Sequence, residues 1–432
     1  MIVAVEMGYG HLRAAHTLAE LFGTEITRMD MPPIAGPIET VVWRATRKFY
    51  NALSRACELP IAGRVARQIL DIITEIAPLQ TPAMKEPVTI FTRLVDGLTR
   101  TVIGQKFRAV ASSAERPILA TYPVAALAAS HASPARVFCL TTDTDLNRAW
   151  APANAAQVAI DYFASVKRVA ERLRSFGVPD HRIHITGFPL PAKLIAQARP
   201  ALARRLHRLD PSSAFHKQAP ECIVDLIGCP AAHYPLQPIS MTIAIGGAGA
   251  QTAQVGRLIR SLRSQVAAGK MRLTLVAGLR PDVARMLRDV VQSAGLAPRI
   301  GNGIEILHAT DWEDYFRRFD ECLFDTDLLW TKPSELVFYA ALGLPLLLAP
   351  PVGGQEHSNR DWLLSHDAAL DAGDPATFGH RFEELLATGE FCRIAWNAYS
   401  RLDRNGSDRI VELFRSSYSS PPQQPMCSAL RS

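Results

Sequence analysis

The sequence predicts an α/β protein of two Rossmann-like domains facing each other across a cleft, and three observations carry that expectation. Short apolar runs alternate with stretches of helical period along most of the chain, the pattern of parallel strand–helix units. Each half opens on a strand that runs into a glycine turn, Ile2 to Glu6 into Met7-Gly8-Tyr9-Gly10 and Met241 to Ile245 into Gly246. Polar residues collect just after apolar strands, on the edge where open α/β sheets place ligands.

A chain of 432 residues allows two or three domains, and 48% apolar with 20% charged residues gives them a sizeable core. The first strand leads into His11 to Phe22, where Leu12, Ala15, Leu18 and Leu21 recur at helical spacing. From about 32 to 105 the pattern changes to aromatic and basic residues at helical intervals, among them Trp43, Arg44, Arg47, Lys48, Tyr50 and Arg55, which predicts an all-helical insertion. Strands are expected at Pro117 to Thr121, Val137 to Thr141, Gln157 to Phe163 and Ile183 to Thr186, completing an N-terminal domain over 1–192. Residues 193–238, rich in Pro, Ala and Arg without clear period, read as linker and irregular insertion. A C-terminal domain over 239–390 follows, with strands at Arg272 to Ala277, Ile304 to Leu307 and Leu323 to Trp330 and a helix at Pro281 to Ala294. Residues 391–415 read as helices crossing back to the first domain, and 416–432 as a disordered tail.

The formal charge of +6 suits an anionic small molecule or an anionic membrane surface. It is too dilute for nucleic acid, and no aromatic-flanked basic stripe or zinc-knuckle spacing occurs. Seven scattered cysteines without a CxxC pair fit reduced thiols in a cytoplasmic protein. The opening residues carry no basic segment before the apolar run, so no signal peptide is expected, and membrane contact would be peripheral.

Three segments carry candidate chemistry. The turn Gly8-Tyr9-Gly10 precedes a helix N-terminus, where free N–H groups favour an anion, although two glycines alone also make an ordinary turn. His11 at that helix start is a candidate base as a neutral imidazole. The turn Gly246-Gly247-Ala248-Gly249 has more glycines than a turn needs and suits a pyrophosphate. The third segment runs from Asp327 to Asn359. It places Lys332, Ser334 and Glu335 after one strand and Gln355, Glu356 and Asn359 after the next, a set of amides and carboxylates able to bind sugar hydroxyls.

In order and spacing these segments resemble glycosyltransferase family 28, which includes the monogalactosyldiacylglycerol synthases and the peptidoglycan N-acetylglucosaminyltransferase. The resemblance rests on Gly8 to Ala15, on Ala120 to Val124, on Thr142-Asp143 with Trp150, and on Asp161 to Ala164. It continues through Gly177 to Ile183, Thr186 to Pro189, Gly246-Gly247, and Gly354-Gln355-Glu356 with Asn359. It implies the GT-B fold and an inverting transfer from a nucleotide sugar, a UDP-sugar by preference, to a lipid or small-molecule acceptor. Gly246, Gly247 and Gly249 would then hold the donor diphosphate, with Arg280 and Lys332 as positive partners, and backbone near Ile306 to His308 would face the base. Gln355, Glu356 and Asn359, with Ser334 and Glu335, would read the sugar and ribose. Gly8, Gly10, Arg13 and Tyr122 would lie on the acceptor side, and His11 or Asp143 would take the acceptor proton. The resemblance implies no metal and no cofactor beyond the nucleotide sugar itself, and the formal Asp143-Thr144-Asp145 spacing reads better as the family's TD stretch than as a metal motif.

The chain departs from that family pattern in three places: its first glycine loop is one glycine poorer, with Tyr9 in the middle, the insertion at Arg205 to Gln237 has no counterpart in the family, and the loop after Lys332 departs most. Lys332 is followed at once by Pro333-Ser334-Glu335, and Phe338 stands five residues before Gly343, where the family has a glutamate. The ribose carboxylate is therefore displaced to Glu335 or absent. Two further readings stay open on the sequence: a nucleotide-sugar epimerase or hydrolase on the same fold, and a silent nucleotide-sugar-binding protein.

Overall fold

The structure is a computed structural model that describes residues 1–57, 62–79, 85–218, 223, 238–245 and 251–419. The glycines 246, 247 and 249, much of the 193–238 segment and most of the C-terminal tail lie outside the described residues.

Two six-stranded sheets organise the chain, and every strand pairing within them is parallel. The first contains β1 (Ile2–Ala4), β2 (Ile26–Arg28), β3 (Ile118–Ala120), β4 (Val137–Leu140), β5 (Ile160–Ala164) and β6 (Ile183–Ile185), in the order β2-β1-β3-β4-β5-β6. The second contains β7 (Ile239–Ala244), β8 (Met271–Gly278), β9 (Ile304–His308), β10 (Leu328–Thr331), β11 (Leu346–Leu348) and β12 (Ala369–Asp371), in the order β12-β11-β10-β7-β8-β9. Strands β1, β3, β4, β5, β10 and β11 are buried throughout, as an interior parallel strand covered on both faces requires. Strand order reverses between β1 and β3 in the first sheet and between β7 and β10 in the second. Those two reversals are the places where a doubly wound sheet opens a crevice at its carboxyl edge. They position the site.

The helical insertion holds α2 (Pro37–Ala56), α3 (Ala62–Thr74) and α4 (Ile90–Thr101), after α1 (Tyr9–Phe22) and before α5 (Gln105–Ser112). Glu39 ties it together: its carboxylate accepts from Gly36 N at 2.9 Å and from Gln105 N at 3.0 Å, capping the first turn of α2 and of α5 at once. Leu53, Cys57, Ala66 and Leu70 form a small core between α2 and α3, and Val352 of the C-terminal domain packs onto it.

Two stretches differ from the sequence expectation. Ala192–Arg208 is a helix of 17 residues rather than irregular linker, and Leu194, Ala198, Ala201, Leu202, Arg205 and Leu206 are its buried face. Its Pro200 and buried Arg205 disguise the period. Arg205 reaches the carbonyl groups of Leu323, Thr326, Leu342 and Gly343 at 2.9–3.2 Å, satisfying orphan acceptors at two helix ends. Leu323 closes the helix Trp312–Asp325 rather than starting a strand, because Asp311 caps that helix at Asp314 N and Phe316, Phe319 and Leu323 face inward. The last long helix, Gly406–Ser416, returns to the first domain, where Phe414 meets Phe22 and Phe138 at 5.0 and 5.4 Å between ring centroids.

Candidate functional site

The carboxyl edges of the two sheets meet, and the residues gathered there fall into two groups. The first surrounds the reversal between β1 and β3. Gly8, at φ 129°, turns the chain from β1 into α1, a conformation that strains any residue with a Cβ. His11 in the first turn of α1 lies 2.7 Å from the Thr121 carbonyl through Nδ1. A carbonyl only accepts, so Nδ1 carries the proton and Nε2 keeps its lone pair. Burial lowers the His11 pKa to about 4 even though the Thr121 carbonyl and Glu335 pull the other way, so the ring is a neutral imidazole at pH 7. Tyr122 and Trp150 pack on it at 4.9 and 5.9 Å.

Asp143 follows β4 on the same edge. It is half-buried, and its Oδ1 accepts from Asn359 Nδ2 at 2.9 Å. Burial raises its pKa to about 6, the Asn359 hydrogen bond and Lys332 work downward, and Glu335 and Glu356 push it further up. A carboxylate tuned close to neutral pH is suited to accept a proton. Asp145, two residues on, is fully buried and bonded to Arg168 and Arg172 at 2.6 and 2.8 Å. The two aspartates therefore do not converge on one point.

The second group surrounds the end of β10 and the loop after β11. Lys332 Nζ binds Glu356 Oε1 at 2.6 Å, and Glu356 Oε2 accepts from Val352 N at 2.9 Å. Burial works against the Lys332 charge, but Glu356 beside it, with Tyr50 and Glu335, holds its pKa above the ordinary lysine value. Gln355 sits half-buried on the first turn of the helix Gly354–Ser365. Asn359 on that helix is fully buried and uses its whole amide: Oδ1 accepts from Thr144 N and Thr144 Oγ1 at 2.8 and 2.9 Å, and Nδ2 donates to Asp143 and to the Pro333 carbonyl. It fastens one domain to the other.

The remaining candidates take distinct places. Glu335 is buried against Gly10, where an added Cβ would stand 3.0 Å from the Glu335 Cβ, and lies 3.6 Å from Arg13 Nε. Arg13 is 2% exposed, packs its guanidinium over Phe319 at 4.4 Å, and approaches Asp320 of the other domain at 3.6 Å. It is therefore a buried domain-to-domain contact. Ser334 precedes the 3₁₀ segment Glu335–Leu342 without capping it through its side chain. Arg280 pairs with Asp282 at the start of the helix Pro281–Ser293. Phe338, at the family's glutamate position, stacks on Phe188 at 4.6 Å with an 8° interplanar angle, so an aromatic pair stands where the carboxylate is missing.

Two site residues had no role in the sequence reading. Tyr9 crosses to the second domain, where it packs on Trp312 and Tyr315 and accepts from Leu279 N at 3.4 Å; Gly278 has no Cβ to obstruct it. Tyr50 of α2 sits among Lys332, Glu356 and Asp143, with its hydroxyl pKa raised by burial. Trp43, Tyr50 and Ser54 recur at spacings of seven and four, the period that marks the inner face of α2.

Two Rossmann-like domains with their carboxyl edges opposed and a shared polar seam give this chain the GT-B architecture, the class of the glycosyltransferases it resembles in sequence. No protein-family model matches the chain. Among curated proteins it is similar to the processive diacylglycerol β-glucosyltransferase of Bacillus subtilis (strain 168), 24% identical over 252 residues, which are 58% of this chain and 52% of that protein. The chain thus spans about half the length of this relative in the match. Solved structures similar to it include the S. aureus MnaA–UDP complex, with a TM-score of 0.48 and 12% identity over 96% of this chain and 95% of the other. UDP-GlcNAc 2-epimerase from Neisseria meningitidis bound to UDP-GlcNAc gives a TM-score of 0.48 and 13% identity over 96% and 100%. A glycosyltransferase from Rickettsia africae gives 0.42 and 10% over 97% and 98%.

Proposed function

We propose that this protein is an inverting glycosyltransferase that moves a sugar from a UDP-sugar to a hydroxyl group of a lipid acceptor. The observation that carries the reading is Asp143, a half-buried carboxylate with its pKa raised to about 6, held by Asn359 where the two sheet edges meet. Asp143 accepts the proton of the acceptor hydroxyl. That oxygen attacks the anomeric carbon from the face opposite the leaving group, the bond from that carbon to the diphosphate oxygen breaks, and the nucleoside diphosphate leaves with the electron pair. Lys332 supplies positive charge to the departing diphosphate once it exchanges Glu356 for it. His11, neutral at pH 7 with Nε2 unprotonated, orients or relays the same proton. Gly246, Gly247 and Gly249 belong to the diphosphate side, with Gln355 and Glu356 toward the sugar. The matched diacylglycerol glucosyltransferase supports a lipid acceptor, and a cytoplasmic, membrane-peripheral location would suit such an acceptor. Among the described residues no helix is long and apolar enough to cross a membrane.

The test is incubation with a panel of UDP-sugars, with and without diacylglycerol in detergent. The reading expects UDP release that depends on the acceptor, together with a glycolipid product of inverted configuration. Free sugar released without acceptor makes the protein a hydrolase, interconverted UDP-sugars make it an epimerase, and binding without turnover makes it a silent binder. Each of these outcomes overturns the proposal.

A further inference from the structure

The helix Gly354–Ser365 carries Gln355 and Glu356 on its first turn, and the end of α3 covers the start of that helix. Thr74, the last residue of α3, is 4% exposed. Its Oγ1 accepts from Gly354 N at 3.0 Å and donates to the Leu70 carbonyl at 2.8 Å. The seating needs both glycines before Gln355. A Cβ at position 354 would collide with the Thr74 carbonyl oxygen, and one at 353 would stand 2.9 Å from Thr74 Oγ1. Val352 packs on the small core that Leu70 shares with Leu53, Cys57 and Ala66. So Val352, Gly353 and Gly354 all meet the helical insertion.

Those contacts reach Lys332 through Glu356. The Glu356 carboxylate accepts from Val352 N at 2.9 Å and from Lys332 Nζ at 2.6 Å, and Tyr50 of α2 stands by the same pair. While α3 is seated, it fixes Val352, Val352 fixes Glu356, and Glu356 keeps Lys332 engaged. The free N–H groups and dipole of a helix start favour an anion, yet here a neutral threonine hydroxyl caps it. A diphosphate is the stronger ligand for that position. The cover is also light, since its core is four buried side chains, and such units open at low cost. Both flanks of α3 are tied to its own domain. Arg67 holds the Cys57 carbonyl at 3.1 and 3.2 Å, and Arg172 holds the Ala77 carbonyl at 2.6 Å and Glu86 at 3.0 Å. The end of α3 can therefore leave the second domain without leaving the first.

We propose that the end of α3 is a gate on the donor side of the site. Seated on Gly353 and Gly354, it keeps the helix start capped and Lys332 paired; lifted, it frees both for the diphosphate of a nucleotide sugar. The proposal rests on the reading of Lys332 and Gly354 to Asn359 as the donor side. The apparent donor affinity is then the intrinsic affinity multiplied by the fraction of molecules with α3 lifted.

The test locks the gate and then loosens it, with UDP as the probe in calorimetry on the full chain. Thr74→Cys combined with Gly353→Cys places two thiols at a separation a disulfide can span. The bridged form is expected to bind UDP at least about tenfold more weakly than the same variant reduced with dithiothreitol. Wild type given the same oxidant is the control. Thr74→Ala removes the cap on Gly354 N and is expected to bind UDP about fivefold more tightly than wild type, while Thr74→Ser stays within about twofold. A merely structural Thr74 gives the opposite sign, with weaker binding in Thr74→Ala. The alanine variant carries the test alone if the cysteine pair does not fold. Thiols that do not bridge in the folded pair, equal UDP affinity in the bridged and reduced forms, or a Thr74→Ala affinity at or below wild type overturns the gate and leaves the donor reading standing. UDP bound by neither wild type nor Thr74→Ala overturns the gate and the donor reading together.

Discussion

The two sheet edges that meet at the domain seam are built alike and loaded differently. On the N-terminal edge, His11 is held neutral with Nε2 unprotonated, and Asp143 titrates near pH 6. On the C-terminal edge the charged and polar groups already bind one another: Lys332 with Glu356, Glu335 beside Arg13, and Asn359 with every amide position used. The difference is chemical. On the proposed function, the first edge has proton-accepting capacity in place, while the second would exchange an internal ion pair for a diphosphate before helping a leaving group. Burial sets the charge state of the N-terminal edge, and ion pairing sets that of the C-terminal edge.

The largest effect is expected on the first edge. Asp143→Asn should lower kcat by about 10²–10⁴ and leave donor affinity within about twofold, measured by steady-state kinetics and by calorimetry with the donor. Asn359→Ala should cost about 2–4 kcal/mol in urea unfolding, because it strips a buried amide of four hydrogen bonds and leaves Thr144 N without a partner. It should also move the Asp143 pKa further up, since the lost bond is the one that favours the carboxylate; an unchanged unfolding midpoint would mean that Asn359 does not join the domains in solution. Lys332→Ala should weaken donor binding by about tenfold to a hundredfold, the value of one charge-assisted hydrogen bond. An unchanged affinity would make the Lys332–Glu356 pair purely structural. Gln355→Ala should have the smallest effect, about fivefold in donor affinity, for the loss of a neutral hydrogen bond at a half-buried position.

The strands and the edge on which the site sits were legible in the sequence because buried parallel strands are continuous apolar runs, and Ile118–Ala120, Val137–Leu140 and Leu328–Thr331 are such runs. Ile26–Arg28 and Ala369–Asp371 were not, since they are partly buried strands at the sheet margins, and Thr27, Arg28 and Asp371 break the apolar run. The helix Ala192–Arg208 was hidden by Pro200 and by Arg205, whose burial depends on carbonyl groups more than a hundred residues away. His11, Lys332 and Glu356 could be picked out as candidates by residue type and place, and Asp143 through the family resemblance. Their pairing could not: Asn359 reaches Thr144 across 215 residues of sequence, and Tyr9 reaches Leu279 across 270. Local spacing reports which edge a side chain lies on, while the partner that sets its charge is a property of the packed domains.

The central claim is that Asp143 is the proton acceptor, and the pH dependence of kcat tests it most directly. The account predicts an acid limb with an apparent pKa near 6 in the wild-type enzyme, with activity rising as Asp143 loses its proton. A profile flat through pH 6 that falls only near pH 4, where His11 takes up its proton, would contradict the claim and pass the role to the histidine.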